Sequence, residues 1–261
     1  MKRLLAVGLL LAIAGCAGNS NGPPKAEYAP KPRADADKAM MTRAQLHTEL
    51  AANYYGIGNY AVALQEADEA LKADPDYVAA YSVLGLIYAA LHDDRSAEDS
   101  FQRALRIDAG DPDANNNYGW FLCQRKREQE GIKYFLTALR NPLYQTPEKA
   151  WLNAGICARQ IGDLTSAQDY FSQVLKARPA EPQVLYYMAD MAYKRGDFAG
   201  AKSYLAHLPS DPASSPEVLW LALRVERKLG DQASETSYGF QLRKNFPNSP
   251  EAQALRAGRY E

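Results

Sequence analysis

The chain has 261 residues, with Lys+Arg 30 against Asp+Glu 31 and a net charge of −1. That near balance excludes a basic nucleic-acid surface. The three histidines, His47, His92 and His207, are scattered along the chain and offer no metal-ligand spacing.

The N-terminus sets the expected compartment. Met1-Lys2-Arg3 is a short basic start, and Leu4 to Ala14 is an apolar run. That run is too short to span a bilayer core of about 30 Å, so residues 1–15 read as a signal peptide. Its end, Ile13-Ala14-Gly15-Cys16, resembles a bacterial lipobox. The resemblance implies cleavage before Cys16 and acylation of that cysteine, and several acyl chains give durable anchoring. Ala17 replaces the aspartate that would resemble an inner-membrane retention signal, so a lipid anchor in the outer membrane, facing the periplasm, is expected. Cleavage removes Lys2 and Arg3 and leaves 28 basic against 31 acidic residues, a net of −3. Residues 16–42, rich in Gly, Asn, Ser, Pro, Ala and Lys, are expected to form a flexible tether. Its reach is roughly 25–30 Å.

From about Ala44 the chain becomes periodic. Tyr81-x-x-Leu84-Gly85-x-x-Tyr88 is followed by Ala97, Phe101 and Ala104, and Gly119, Phe135 and Ala138 return 34 residues later. Gly155 and Phe171 follow after 36 more, then Ala189 and Ala201 in the same phase. Units start near Ala44, Val78, Pro112, Glu148 and Pro182. A degenerate sixth starts near Glu217, which puts Arg224 at the close helix crossing and reads as a terminal cap with a polar outer face.

Turn chemistry agrees with this period. Gly58-Asn59, Gly162-Asp163 and Gly196-Asp197 share one phase, with Gly230-Asp231 one position off. Glycine supplies the left-handed residue that ends one helix, and Asn or Asp caps the next. Asp74-Pro75, Asp111-Pro112 and Asp211-Pro212 mark boundaries between units. No strand-like alternation of useful length appears. The pattern resembles the tetratricopeptide repeat, an all-α superhelix of helix-turn-helix units, here over residues 43–252 with a C-terminal tail at 253–261. Tyr54, Tyr88, Phe101, Phe135 and Phe171 are then packing residues that carry no information about a ligand.

Cys123 and Cys157 stand 34 apart, late in the first helices of adjacent units. A disulfide stapling the two units is expected, the alternative being two buried thiols. No phosphate-binding loop, nucleophile elbow or Cys-x-x-Cys motif occurs, so neither catalysis nor a cofactor nor a small-molecule substrate is expected.

In tetratricopeptide arrays positions 2, 5, 9 and 12 of the first helix line the groove. Tyr55, Leu86, Trp120, Leu152, Ile156 and Tyr186 fall on such positions and are the candidate partner-groove residues. For Trp120, burial by tight curvature is an equal alternative. Thr48, Ala52, Val83, Asp113 and Asn117 do not supply the Lys, Asn and Arg clamp with which chaperone-adaptor arrays hold a terminal carboxylate.

Two runs carry a narrower resemblance. Asn116-Asn117-Tyr118-Gly119-Trp120-Phe121-Leu122-Cys123 and Ser237-Tyr238-Gly239-Phe240-Gln241-Leu242-Arg243-Lys244-Asn245-Phe246-Pro247 are similar to segments of the type IV pilus biogenesis and stability lipoproteins, the six-repeat secretin pilotins. Trp151-Leu152-Asn153-Ala154-Gly155 and Met188-Ala189-Asp190 add to the likeness. The resemblance implies a lipid-tethered scaffold that binds the pilus secretin and promotes its multimer assembly at the outer membrane. A periplasmic lipoprotein regulating a peptidoglycan synthase or hydrolase is the alternative.

Overall fold

The computed structural model describes residues 33–208 and 215–260. The signal peptide, Cys16, most of the expected tether and the Asp211-Pro212 boundary lie outside these residues. Among the described residues the regular structure is entirely helical: α1 (Arg33–Gly56), α2 (Tyr60–Ala73), α3 (Val78–Ala90), α4 (Asp94–Ile107), α5 (Pro112–Gln124), α6 (Glu128–Ala138), α7 (Pro147–Gln160), α8 (Leu164–Ala177), α9 (Pro182–Lys194), α10 (Phe198–Ala206), α11 (Pro216–Leu229), α12 (Gln232–Asn245) and α13 (Pro250–Arg256). The first helix begins at Arg33, nine residues before the expected end of the tether at residue 42.

Consecutive helices pair into hairpins, α3 with α4, α5 with α6, α7 with α8, α9 with α10 and α11 with α12. Each turn places one residue in the left-handed region at the same point of the repeat: Gly58, His92, Lys126, Gly162, Gly196 and Gly230. The next residue then caps the second helix through its side chain (Asn59, Asp93, Asp163, Asp197 and Asp231). Unit three keeps the first habit without a glycine, with Lys126 at φ 60°, and breaks the second, since Arg127 makes no capping bond. Arg127 instead pairs with Glu98 and Glu130 at 2.9 Å each. A side chain at positive φ costs roughly 1 kcal/mol that glycine avoids. Lys126→Gly is therefore expected to stabilise the protein by about that amount in urea denaturation, and no gain would overturn this reading of the turn.

The left-handed residues also correct the register of the sixth unit. Gly230 follows Gly196 by 34, in step with the earlier turns, so the unit starts at Pro216 and not at Glu217. Leu223, not Arg224, then occupies the crossing. In units two to four the crossing glycine faces a phenylalanine on the second helix: Gly85 on Phe101, Gly119 on Phe135, Gly155 on Phe171. A Cβ on Gly85 would sit 2.6 Å from the Phe101 ring. In unit six the sizes are reversed, and Leu223 fills the space over Gly239, where a Cβ would lie 3.4 Å from Leu223 Cδ1. The total volume at the crossing is kept, which is how cores tolerate substitution.

The core runs through these crossings as successive clusters, one built on Phe101, Tyr118, Phe121 and Leu122, the next on Phe135, Ala154 and Cys157, the next on Phe171, Val184 and Met188. Of the expected tail at 253–261, residues 253–256 form the end of α13, and Tyr260 stacks on Trp220 at 5.8 Å between ring centroids.

Candidate functional site

First helices of adjacent units lie side by side, α3 against α5, α5 against α7 and α9 against α11. Residues at equal positions therefore form rows. Position 5 supplies Thr48, Ser82 and Asn116 in the first three units, and all three are buried, which removes them from the expected groove. The last two belong to a polar chain between helices. Asn117 Nδ2 donates to Ser82 Oγ (3.0 Å), Asn116 Nδ2 to Asn117 Oδ1 (3.3 Å), and Asn153 Nδ2 to Asn116 Oδ1 (3.0 Å). Buried amides left unpaired are costly, so this chain fixes how α3, α5 and α7 slide against one another.

Positions 9 and 12 form the row that opens in part to solvent, and both its exposure and its chemistry change along the stack. In units one to three Tyr55, Leu86 and Trp120 meet in one hollow of about 250 Å³, with Ala89 and Phe121 in its wall. Trp120 is half-buried, packed against the cores of units three and four while keeping one side on the hollow. Burial and the neighbouring Tyr60 push the Tyr55 hydroxyl above its usual pKa, so it stays a neutral donor. Arg125 sits at the rim, bound to Asp94 at 2.6 Å, and its guanidinium lies 5.2 Å from the Phe121 ring. Its hydrogen bond holds the Asp94 carboxyl below the usual range.

The other groove candidates do not join this hollow. Ile156 is only 8% exposed and belongs to the core, enclosed by Phe171 of α8 and by Val184 and Met188 of α9. Leu152 is half-buried against the same core. Tyr186 packs on the cluster of Ala189, Ala201 and Leu221, and its pKa is raised by burial and by Asp190. Cys123 and Cys157 are joined in the structure, with a Cα–Cα distance of 5.9 Å, within the range a disulfide spans. The bond links α5 to α7.

The same row ends differently in units five and six. Asp190 at position 9 is buried and paired with Lys194 (2.8 Å) and Arg159 (3.7 Å). Beyond it come Tyr193, Arg224 and Arg227. These arginines were missed from the sequence because the sixth unit was counted from Glu217. The Gly230-Asp231 turn carried the signal that would have set the register. No group of three or more potential metal ligands occurs among the described residues, and no described helix is long and apolar enough to cross a membrane.

Stacked two-helix units with one lined row of side chains define a helical-repeat scaffold, an architecture used to hold other proteins. The tetratricopeptide-repeat family model matches residues 59–207, and the chain belongs to that family. It is similar to the crystal structure of PilW, a widely conserved type IV pilus biogenesis factor, at 34% identity and TM-score 0.73, covering 82% of this chain and 98% of that one. It is also similar to the solved structure of Pseudomonas aeruginosa PilF (27% identity, TM-score 0.75, 87% of this chain and 99% of that chain). The curated type IV pilus assembly protein PilF of Pseudomonas aeruginosa is 28% identical over 191 residues, 73% of this chain and 71% of the relative. The chain is thus homologous to type IV pilus assembly proteins.

Proposed function

We propose that this protein is an outer-membrane lipoprotein of type IV pilus biogenesis, anchored through acylated Cys16, that binds secretin subunits and promotes their multimer assembly. The observation that carries the reading is the 34% identity to PilW over nearly the whole of that chain. The hollow of Tyr55, Leu86 and Trp120 gives it a docking surface, apolar and aromatic with a polar rim, as interface cores are. In this reading the lipid keeps the scaffold beneath the membrane, and the first three units grip the client.

Deletion of the gene is expected to abolish twitching and to deplete secretin multimers from outer-membrane fractions. Normal multimers would overturn the proposal, as would co-purification of a peptidoglycan synthase or hydrolase in place of secretin. Complementation with Leu86→Asp, provided helical circular dichroism is retained, should weaken secretin capture about tenfold or more, the scale of an interface hot spot. Cys16→Ser should release the folded repeats from the outer membrane, and unchanged fractionation would sink the anchor.

A further inference from the structure

The second hollow on the groove row lies at the C-terminal end of the stack, measures about 700 Å³ and is cationic. Arg224, Arg227, Lys228 and Arg259 line it together with Tyr193 and Tyr260, and among the described residues no acidic side chain does. Among the described residues Arg227 has a carboxylate partner, Glu235 at 2.8 Å, while Arg224, Lys228 and Arg259 have none within salt-bridge distance.

Aromatic rings hold the guanidinium groups of Arg224 and Arg227, alone at Arg224 and together with Glu235 at Arg227. Arg224 Cζ lies 4.7 Å from the Tyr193 ring centroid and 5.7 Å from that of Trp220, and Arg227 Cζ lies 3.9 Å from the Tyr260 ring. A guanidinium held over a ring rather than by an acid, as at Arg224, has N–H donors not spent on a carboxylate, and a guanidinium can bind a carboxylate in two parallel hydrogen bonds. Arg224 Nε is buried without any hydrogen-bond partner.

We infer that this hollow is a docking site for a glutamate- or aspartate-bearing segment of a partner polypeptide. The occupant is argued from charge complementarity and from continuity. Arg224 and Arg227 stand at the repeat positions that carry Leu86 and Tyr55 in the early units, so an extended chain along the row meets an apolar hollow first and a cationic one later. The early hollow selects side chains by shape, and the late one reads their charge and so fixes direction. This inference goes beyond the secretin reading and does not rest on it, since it concerns the chemistry of the segment and not the protein that brings it.

The test uses a labelled glutamate-rich peptide and its glutamine twin, each titrated with the intact protein by fluorescence anisotropy at low ionic strength. The glutamate peptide should bind about tenfold or more tightly than its twin, and Arg224→Gln and Arg259→Gln should each remove about tenfold of that affinity. Lys149→Gln, an exposed lysine outside the hollow, controls for general charge. Arg259 is exposed, so its variant keeps the test open if Arg224→Gln does not fold. Equal binding of the two peptides, or losses no larger than that of Lys149→Gln, would overturn the site. Displacement of the glutamate peptide by phosphatidylglycerol vesicles that bind through the same arginines would overturn it in favour of an anionic membrane surface.

Discussion

Gly131→Val is expected to destabilise the protein by about 3 kcal/mol or more, the upper range for overpacking a core. A Cβ on Gly131 would lie 2.5 Å from the Gly119 carbonyl oxygen and 3.3 Å from the Cys123 nitrogen. Both are backbone atoms of α5, so no rotamer change can relieve the clash and the two helices must separate. The equivalent positions in units one, two, four and five hold Ala63, Ala97, Ala167 and Ala201, all fully buried. Unit three thus packs its hairpin more closely than its neighbours. Gly131→Ala should cost less, because alanine returns up to about 1 kcal/mol of helix propensity. Gly56→Ala is the control: a Cβ there meets nothing within 4 Å. Chemical denaturation of the three variants checks the order, and a Gly131→Val protein as stable as the parent would refute the close approach.

Removing the Cys123–Cys157 link should have an effect of similar size. The loop it closes has a sequence separation of 34, for which constraint of the unfolded chain contributes about 3–4 kcal/mol. The double variant Cys123→Ala, Cys157→Ala is expected to lose about that much stability. The parent should fall to a similar level in reductant, whereas the variant should not respond. In a Cys16→Ser background, thiol titration of the unfolded, unreduced protein should find neither cysteine free. Two titratable thiols would show that the pair is not bonded. Both predictions concern unit three, which also contributes Trp120 to the early hollow, so losses there should reach partner binding as well as stability.

The repeat itself was legible because its signals are local. Gly85, Gly119 and Gly155 mark close crossings, and Gly162-Asp163 and Gly196-Asp197 mark turns, each through the backbone conformation or small size of its own residues. The same local logic misplaced the sixth unit. Its crossing keeps volume while exchanging partners, Leu223 for glycine and Gly239 for phenylalanine, and a pattern keyed to residue identity does not recognise a reversed pair. His92 and Lys126 escaped notice as left-handed turn residues because nothing in their side chains demands that conformation. The polar chain from Ser82 to Asn153 escaped too, since its members are far apart in sequence and become partners only when three first helices align.

Sequence alone determined the all-α repeat architecture, its period, and the adjacency of Cys123 and Cys157, because equal phase in a stack of hairpins implies neighbouring place. Tertiary structure decided which members of each row reach solvent. Ile156 and Trp120 share position 9, yet one is sealed in the core and the other opens onto the hollow with Tyr55 and Leu86. Ile156 is enclosed by Phe171 of α8 and by Val184 and Met188 of α9, with Trp120 packed against the same cluster, a property of several units together and of no single residue. Tertiary packing also gathers Arg224 and Arg227 of α11 and Arg259 of the segment after α13 into one cationic end of the groove.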